Sequence, residues 1–371
     1  MRNILSAVSM LAISASAASA GGIDRSNQGI GILFEKDRVV ELSLGQISPT
    51  VSGTDVAAFG GRDTGNIADD FGQVGLSFKA DINDNLSYAI IFDQPFGADV
   101  NYPLTSVALG GTTAYTKTGA LTGILRYKFN ENFSVHGGVR GQRAFGNIDL
   151  RGAAYGPLNG YSISLDDDIS FGYLVGVAYE RPEIALRVAL TYNSDIEHEF
   201  DTIETVAGGA LTVSQGVTNV KTPESVNLDL QTGIAKDTLL FGNIRWVNWQ
   251  QFKIDPEFLV ARTGAGLIDI ENTTTYTLGI GRRFNETWSG SISVTYEDDI
   301  DPLISPLGPT DGRLGVTLAA VYSKGPVKIT TGINYSKLGD ALAETGTPDT
   351  ARASFEDNDS VGVGVRIAYS F

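Results

Sequence analysis

The feature that most constrains this chain is a two-residue alternation in its last segment. Val361, Val363, Val365, Ile367, Tyr369 and Phe371 fall on one face, and Gly362, Gly364, Arg366, Ala368 and Ser370 on the other. A period of two marks a strand whose faces meet different surroundings. Trp288, Gly290, Ile292, Val294 and Tyr296 likewise alternate with Ser289, Ser291, Ser293 and Thr295. Leu314, Val316, Leu318, Ala320 and Tyr322 alternate with Arg313, Gly315, Thr317, Ala319 and Val321. In a soluble sandwich the apolar face would meet a second sheet. In a membrane barrel it meets lipid, and Arg366 meets the lumen.

Three further features favour the barrel. Beyond the first twenty residues no run of 18 apolar residues occurs, so the chain does not cross a membrane by helices. Aromatic residues at strand ends (Tyr127, Phe129, Trp288, Tyr296, Tyr322) suit two interfacial girdles, in a chain with 44 Gly, 14 Tyr and 17 Phe. The ending on Tyr369 and Phe371 resembles the C-terminal signal read by the outer-membrane assembly machinery. At the other end, Arg2, the apolar stretch 4–13 and Ala18-Ser19-Ala20 predict a cleaved signal peptide over residues 1–20. With no cysteine, an exported chain of this kind relies on neither disulfides nor thiol chemistry.

Tight turns are expected at Asn83-Asp84-Asn85, Asn130-Glu131-Asn132, Arg181-Pro182-Glu183, Lys236-Asp237, Asn285-Glu286 and Lys324-Gly325-Pro326. Long loops are expected over 53–65, 103–112, 151–166, 203–218, 255–267, 300–311 and 340–357. Turns and loops alternate, which predicts an all-β, transmembrane antiparallel β-barrel of about fourteen strands with both ends periplasmic, in the bacterial outer membrane. A lumen of that size is wide enough to need filling. Residues 21–37 are expected to form a short N-terminal plug inside it, with Ile30, Ile32, Leu33 and Phe34 buried, ahead of a barrel over 38–371.

The loops are unusually apolar. Tyr155, Leu158, Tyr161, Phe258, Leu259 and Leu303 are expected to line a pocket for a hydrophobic ligand, although plain packing of loop on loop would use the same residues. In the third strand, over 86–102, Pro95 donates no ladder bond and Gly97 permits a bend, so Pro95, Phe96, Gly97 and Ala98 are expected to kink the wall and open it sideways. Arg140 and Arg143 are candidate partners for a ligand carboxylate, with pairing to lumenal acids as the structural alternative. His136 and His198 stand in no nucleophile constellation and read as solvated or loop-packed, so no catalysis and no cofactor is expected. The acid groups Asp166-Asp167-Asp168, Asp298-Asp299-Asp301 and Glu356-Asp357-Asp359 lack EF-hand spacing and read as solvated rather than as metal sites, though bridging to lipopolysaccharide through divalent ions is the other option. The formal charge of −16, or −17 once a leader carrying Arg2 and no acid is removed, argues against nucleic acid as a partner.

Several segments together resemble the outer-membrane long-chain fatty-acid and hydrocarbon transporters of the FadL/TodX type. They are Phe92-Asp93-Gln94-Pro95-Phe96-Gly97-Ala98, Ala189-Leu190-Thr191-Tyr192-Asn193-Ser194-Asp195, Thr222-Pro223-Glu224, Trp249-Gln250-Gln251-Phe252, Tyr296-Glu297-Asp298-Asp299 with Pro302, and Asp311-Gly312-Arg313. The resemblance implies a fourteen-stranded barrel with an N-terminal hatch, cargo caught among the outer loops, and lateral release at the kinked third strand without an energy source. The chain departs from the family pattern in having a short hatch and no Asn-Pro-Ala element. The expected function is passive uptake of long-chain fatty acids or similar hydrophobic compounds, in contact with outer-membrane lipid and lipopolysaccharide. A general porin for small polar solutes is the alternative, and a non-transporting structural barrel a third.

Overall fold

The computed structural model describes residues 23–346 and 348–371, so the expected leader 1–20 lies outside the described residues. The strands of the wall, in chain order, are β1 (Val39–Thr50), β2 (Phe71–Asp81), β3 (Leu86–Asp93 and Gly97–Asn101), β4 (Thr113–Lys128) and β5 (Phe133–Leu150). There follow β6 (Tyr161–Arg181), β7 (Leu186–Asn193 and Ile196–Val206), β8 (Leu211–Thr222 and Ser225–Ala235), β9 (Thr238–Val247) and β10 (Thr273–Arg283). The last four are β11 (Trp288–Glu297), β12 (Arg313–Lys324), β13 (Val327–Leu338) and β14 (Asp359–Ser370). Each pairs antiparallel with its sequence neighbour, and β1 pairs with β14 from Val39 opposite Ser370 to Thr50 opposite Asp359. The sheet therefore closes into a fourteen-stranded barrel with no free edge.

The alternation sorts side chains as the sequence requires. Leu121, Leu125, Val135, Val139 and Phe171 are exposed on the outer surface, while Thr122, Arg126, Ser134, His136 and Arg140 are buried in the lumen. Tyr369 and Phe371 lie outside with ring centroids 5.8 Å apart, and the Phe371 amide donates to the Arg38 carbonyl at 2.9 Å. At the periplasmic end three turns repeat one device. Asn83 Oδ1 accepts from the amides of Asn85 and Leu86, Asn130 Oδ1 from Asn132 and Phe133, and Asn285 Oδ1 from Thr287 and Trp288, all at 2.8–3.0 Å.

The extracellular end differs from expectation in two loops. Residues 203–218 are mostly strand: β7 and β8 run on to a tight turn at Ala207, Gly208 and Gly209, whose φ angles of 56°, 69° and 90° reverse the chain. Of 151–166 only the first part is loop, since β6 starts at Tyr161. The wall is consequently tallest along β5 to β8. Elsewhere the loops fold on one another. Gly53–Asp55, Leu303–Ile304, Ala341–Thr345 and Thr350–Phe355 form a small four-stranded sheet over the mouth. The Asp55 carboxylate is buried and accepts from Ser106 Oγ and the amides of Val107 and Ala108 at 2.7–3.1 Å, joining two loops.

A short helix, α1 (Glu257–Thr263), docks on the tall side of the wall. Buried Glu204 of β7 accepts from the amides of Phe258 and Leu259 at 2.8 and 3.0 Å and from the Tyr161 hydroxyl at 2.8 Å. One carboxylate thus satisfies two of the helix's initial amides. Glu204→Ala is expected to free α1, at a cost of about 1.5–3 kcal/mol for each bond to the charged group. Trypsin cleavage after Arg262 should then accelerate about tenfold or more in the folded barrel; an unchanged rate would show that apolar packing alone holds the helix.

Candidate functional site

Two chain features that a plain barrel lacks define the site: residues 23–35 packed inside the lumen, called the plug below, and interruptions in the wall. Ile30 and the 3-10 turn Gly31–Phe34 bury their apolar side chains against Ala89, Ile91, Ile124, Leu174, Ala178 and Ala189. Phe34 lies between two guanidinium groups, with Arg126 4.5 Å and Arg187 4.6 Å from its ring centroid. The other end of the plug is held by charge. Asp24 pairs with Arg245 at 2.6 Å, both almost fully buried, and Arg245 also donates to Ser225 Oγ, Asn227 Oδ1 and Gln28 Oε1 at 2.8–3.2 Å. A desolvated ion pair of this kind holds only because hydrogen bonds complete its shell.

The plug is also bonded to the break in β3. Between Asp93 and Gly97 the strand leaves its ladder with β2, so that residues 71–75 of β2 have no partner on that side. The freed backbone is taken up from within. The Arg25 amide donates to the Pro95 carbonyl at 2.7 Å, the Gly97 amide donates to the Ile23 carbonyl at 2.9 Å, and Ser26 Oγ donates to Asp93 at 2.6 Å. On the wall side, Gln94 Oε1 accepts from the Val74 amide at 3.0 Å. Phe96 turns inward, 1% exposed, edge-on to Trp249 with centroids 5.8 Å apart. A Cβ at Gly97 would stand 2.7 Å from the Arg25 guanidinium carbon, so a larger residue there would push the Arg25 side chain aside.

A second interruption, which the sequence reading missed, separates β6 from β7. Their ladder holds from Leu174 opposite Asn193 to Arg181 opposite Leu186, and again from Leu165 opposite Thr202 to Ser162 opposite Thr205. Between these, residues 166–173 and 194–201 share one register, but the faces disagree. On β7, Ile196, His198 and Phe200 are buried with Glu197, Glu199 and Asp201 exposed; on β6, Ile169, Phe171 and Tyr173 are exposed. In-register pairing would set inward residues opposite outward ones, which a pleated ladder forbids. Side chains bridge the seam instead. His198 Nδ1 lies 2.6 Å from Asp168 Oδ2, and Ser194 Oγ accepts from the Tyr173 amide at 2.9 Å.

The third interruption, at Pro223-Glu224 in β8, gathers segments far apart in sequence. Glu224 accepts from the Tyr192 hydroxyl at 2.7 Å, Asn248 Nδ2 at 2.9 Å and Gln251 Nε2 at 3.1 Å. The adjoining Trp249 and Phe252 pack edge-on, with centroids 6.2 Å apart.

All three breaks border one cavity of about 190 Å³ in the outer half of the lumen, lined by Ala98, His198 and Thr222 among others. Its walls are largely apolar, with Ile148, Leu165, Phe200, Val220, Phe252 and Leu307 prominent, and Ile23 of the plug also lines it. Six carboxylates line it too: Asp269, Glu271, Asp301, Asp311, Glu344 and Asp349. Among the described residues no lysine or arginine does. A second cavity of about 280 Å³ lies beyond the plug, lined by Asn27, Ile30, Phe34, Gln94 and Arg366, and shares no lining residue with the first.

The structure distributes the residues singled out from sequence as follows. Pro95, Phe96, Gly97 and Ala98 sit at the break in β3, and Ile30, Ile32, Leu33 and Phe34 are buried in the lumen. Of the six expected pocket residues, Leu303 lines the outer cavity. Tyr155, Leu158, Tyr161, Phe258 and Leu259 do not; they pack into the apolar core of the loops, Tyr161 stacked on Phe258, because apolar loops that face each other close on themselves and leave no void. Arg140 is lumenal and buried, donating to Thr122 Oγ1 at 3.0 Å, but lines neither cavity. Arg143 is outside: the bulge lies just beyond it, between Ala144 and Gly146, and the side chain pairs with Asp167 at 2.6 Å. His198 is neither solvated nor loop-packed but fully buried in the cavity wall. Among the described residues no three His, Asp or Glu side chains converge to hold a metal ion. Sequence reasoning missed Arg245, Asp24 and Glu204; an arginine on the inward parity of a strand flanked by Trp246 and Ile244 was the available signal.

A family model described as outer membrane protein transport protein (OMPP1/FadL/TodX) matches residues 36–301. The chain belongs to that family. It is accordingly an outer-membrane transport protein for hydrophobic compounds. No curated protein matches the sequence. Among solved structures it is similar to a FadL homologue from Pseudomonas aeruginosa, at 15% identity over 96% of this chain and 97% of that one, with a TM-score of 0.73. It is also similar to the P. putida toluene transporter TodX (14% identity, 91% of each chain, TM-score 0.64) and the Ralstonia pickettii toluene transporter TbuX (12%, 91% and 90%, 0.63). At these identities the likeness establishes the barrel architecture.

Arg245→Ala would remove the guanidinium from buried Asp24, and a loss of about 3 kcal/mol is expected. The loosened plug should raise ion conductance in planar bilayers several-fold. Wild-type conductance in a folded R245A barrel would show that the pair does not hold the plug in place.

Proposed function

We propose that cargo enters the outer cavity from the extracellular side, passes the plug, and leaves sideways into the membrane at the break in β3. The process is passive, and uncharged hydrophobic small molecules are the class of cargo. The observation that carries this reading is the bonding of residues 23–25 to Pro95 and Gly97, which makes the plug and the broken wall one element. Movement of one requires movement of the other. The apolar cavity with Ala98 in its lining supports the same route.

A porin for polar solutes would need a continuous water path. The plug stands between two cavities with no shared lining, which disfavours it.

Replacing Pro95, Phe96 and Gly97 together by strand-regular residues such as Val, Thr and Val is expected to restore the ladder between β2 and β3. Uptake of radiolabelled toluene through the reconstituted barrel should then fall by about tenfold or more, with the barrel still folded by its heat-modifiable migration. Unchanged uptake would sink the lateral route. Loss of uptake together with high salt conductance would instead favour the porin.

A further inference from the structure

Among the described residues His198 is the one basic side chain in the lining of the outer cavity, and its setting is specific. The ring is fully buried and stacked on Phe200, with centroids 5.5 Å apart and planes 18° from parallel. Nδ1 is 2.6 Å from Asp168 Oδ2, which also accepts from Ser170 Oγ at 2.9 Å. Nε2 is buried and has no hydrogen-bond partner in the protein. His198 belongs to the cavity lining and Asp168 does not; the unpartnered Nε2 is itself closed to water, so a ligand reaches it as the lining gives way.

A carboxylate at Nδ1 fixes the proton there, and the neutral ring then presents a lone pair at Nε2. A second proton would lie in an apolar wall with no acceptor, which is the costlier arrangement. An unmet acceptor costs free energy that a ligand donor would recover.

The rest of the lining narrows the choice. Six carboxylates and no lysine or arginine line the cavity, so a ligand carboxylate would meet like charge and find no cation among the residues around it. An alkane would fit the apolar wall but leave Nε2 unmet.

We propose that the outer cavity selects uncharged hydrophobic molecules bearing a hydroxyl group, an alcohol or a phenol, whose O–H donates to His198 Nε2. This rests on the cavity being the cargo site proposed above and names its ligand class. Asp168 is the positioning residue that sets which ring nitrogen carries the proton.

The test uses the full chain in one detergent with 1-octanol, octane, octanoate and methyl octanoate, titrated calorimetrically. Partition into the micelle is common to wild type and variants and cancels between them. Wild type should prefer octanol to octane by about tenfold, the worth of one hydrogen bond to a buried acceptor. His198→Phe should collapse that preference. Asp168→Asn offers an amide N–H to Nδ1, moving the ring proton to Nε2. It should raise affinity for methyl octanoate, an acceptor only, and exchange the donor and acceptor signatures of the two ring nitrogens in the 15N spectrum.

An octanol preference that survives H198F in a folded barrel overturns the proposal. So does a wild type that binds octanoate above octanol, the signature of a charged ring. If the wild type binds octane and octanol equally, the hydroxyl selection fails and the cargo site stands. If it binds neither, the cargo site itself fails and takes the selection with it.

Discussion

A backbone N–H or C=O that faces hydrocarbon without a partner costs several kcal/mol, and closure of β1 on β14 removes that cost around the whole circumference. Each departure from the ladder must therefore be compensated locally. At the break in β3 the compensation comes from the Gln94 side chain and the backbone of residues 23–25. At Pro223 the Glu224 carbonyl accepts from the Asn248 amide and the Glu224 amide donates to Gln251 Oε1. At the end of the seam between β6 and β7, Ser194 exchanges bonds with the Tyr173 backbone through its hydroxyl and its amide, and the Asp168–His198 pair links the two strands by side chains. Each of these places has a residue in the lining of the outer cavity. The barrel is regular where it only has to seal, and irregular where it meets cargo.

The lumen is organised by charge rather than by apolar packing alone. Arg245, buried and four-fold bonded, ties one end of the plug to β8 and β9, while Arg126 and Arg187 clasp Phe34 at the other. Apolar contacts would tolerate sliding of so short a segment; directional bonds to a fixed guanidinium give it one position. The outer cavity uses charge in the opposite sense. Its surplus of carboxylates repels anions, while the apolar wall beneath accepts neutral molecules.

Much of this was legible in the residues. Alternation in β11, β12 and β14 fixed which side chains meet lipid, because a strand period of two admits only one assignment once a polar face must avoid hydrocarbon. Six tight turns alternating with seven long loops gave the strand count, and the wall strand β3 is interrupted between Asp93 and Gly97. The cavity was misjudged because Tyr155, Leu158, Tyr161, Phe258 and Leu259 are apolar residues at the extracellular end, and composition does not separate side chains that pack on each other from those that line a void. Arg143 was misplaced by a single residue of bulge.

Sequence alone determined the barrel, its strand number and its lipid-facing surface, since each follows from local periodicity and turn chemistry. Tertiary structure decided the rest. Arg245 meets Asp24 across more than two hundred residues of chain, and no local pattern encodes that distance. His198 looked like one polar residue among acids until opposing faces on β6 and β7 were seen to hold their ladder apart. Only the three-dimensional register shows its free nitrogen in the wall of a cavity, because register is a relation between strands and not a property of either one.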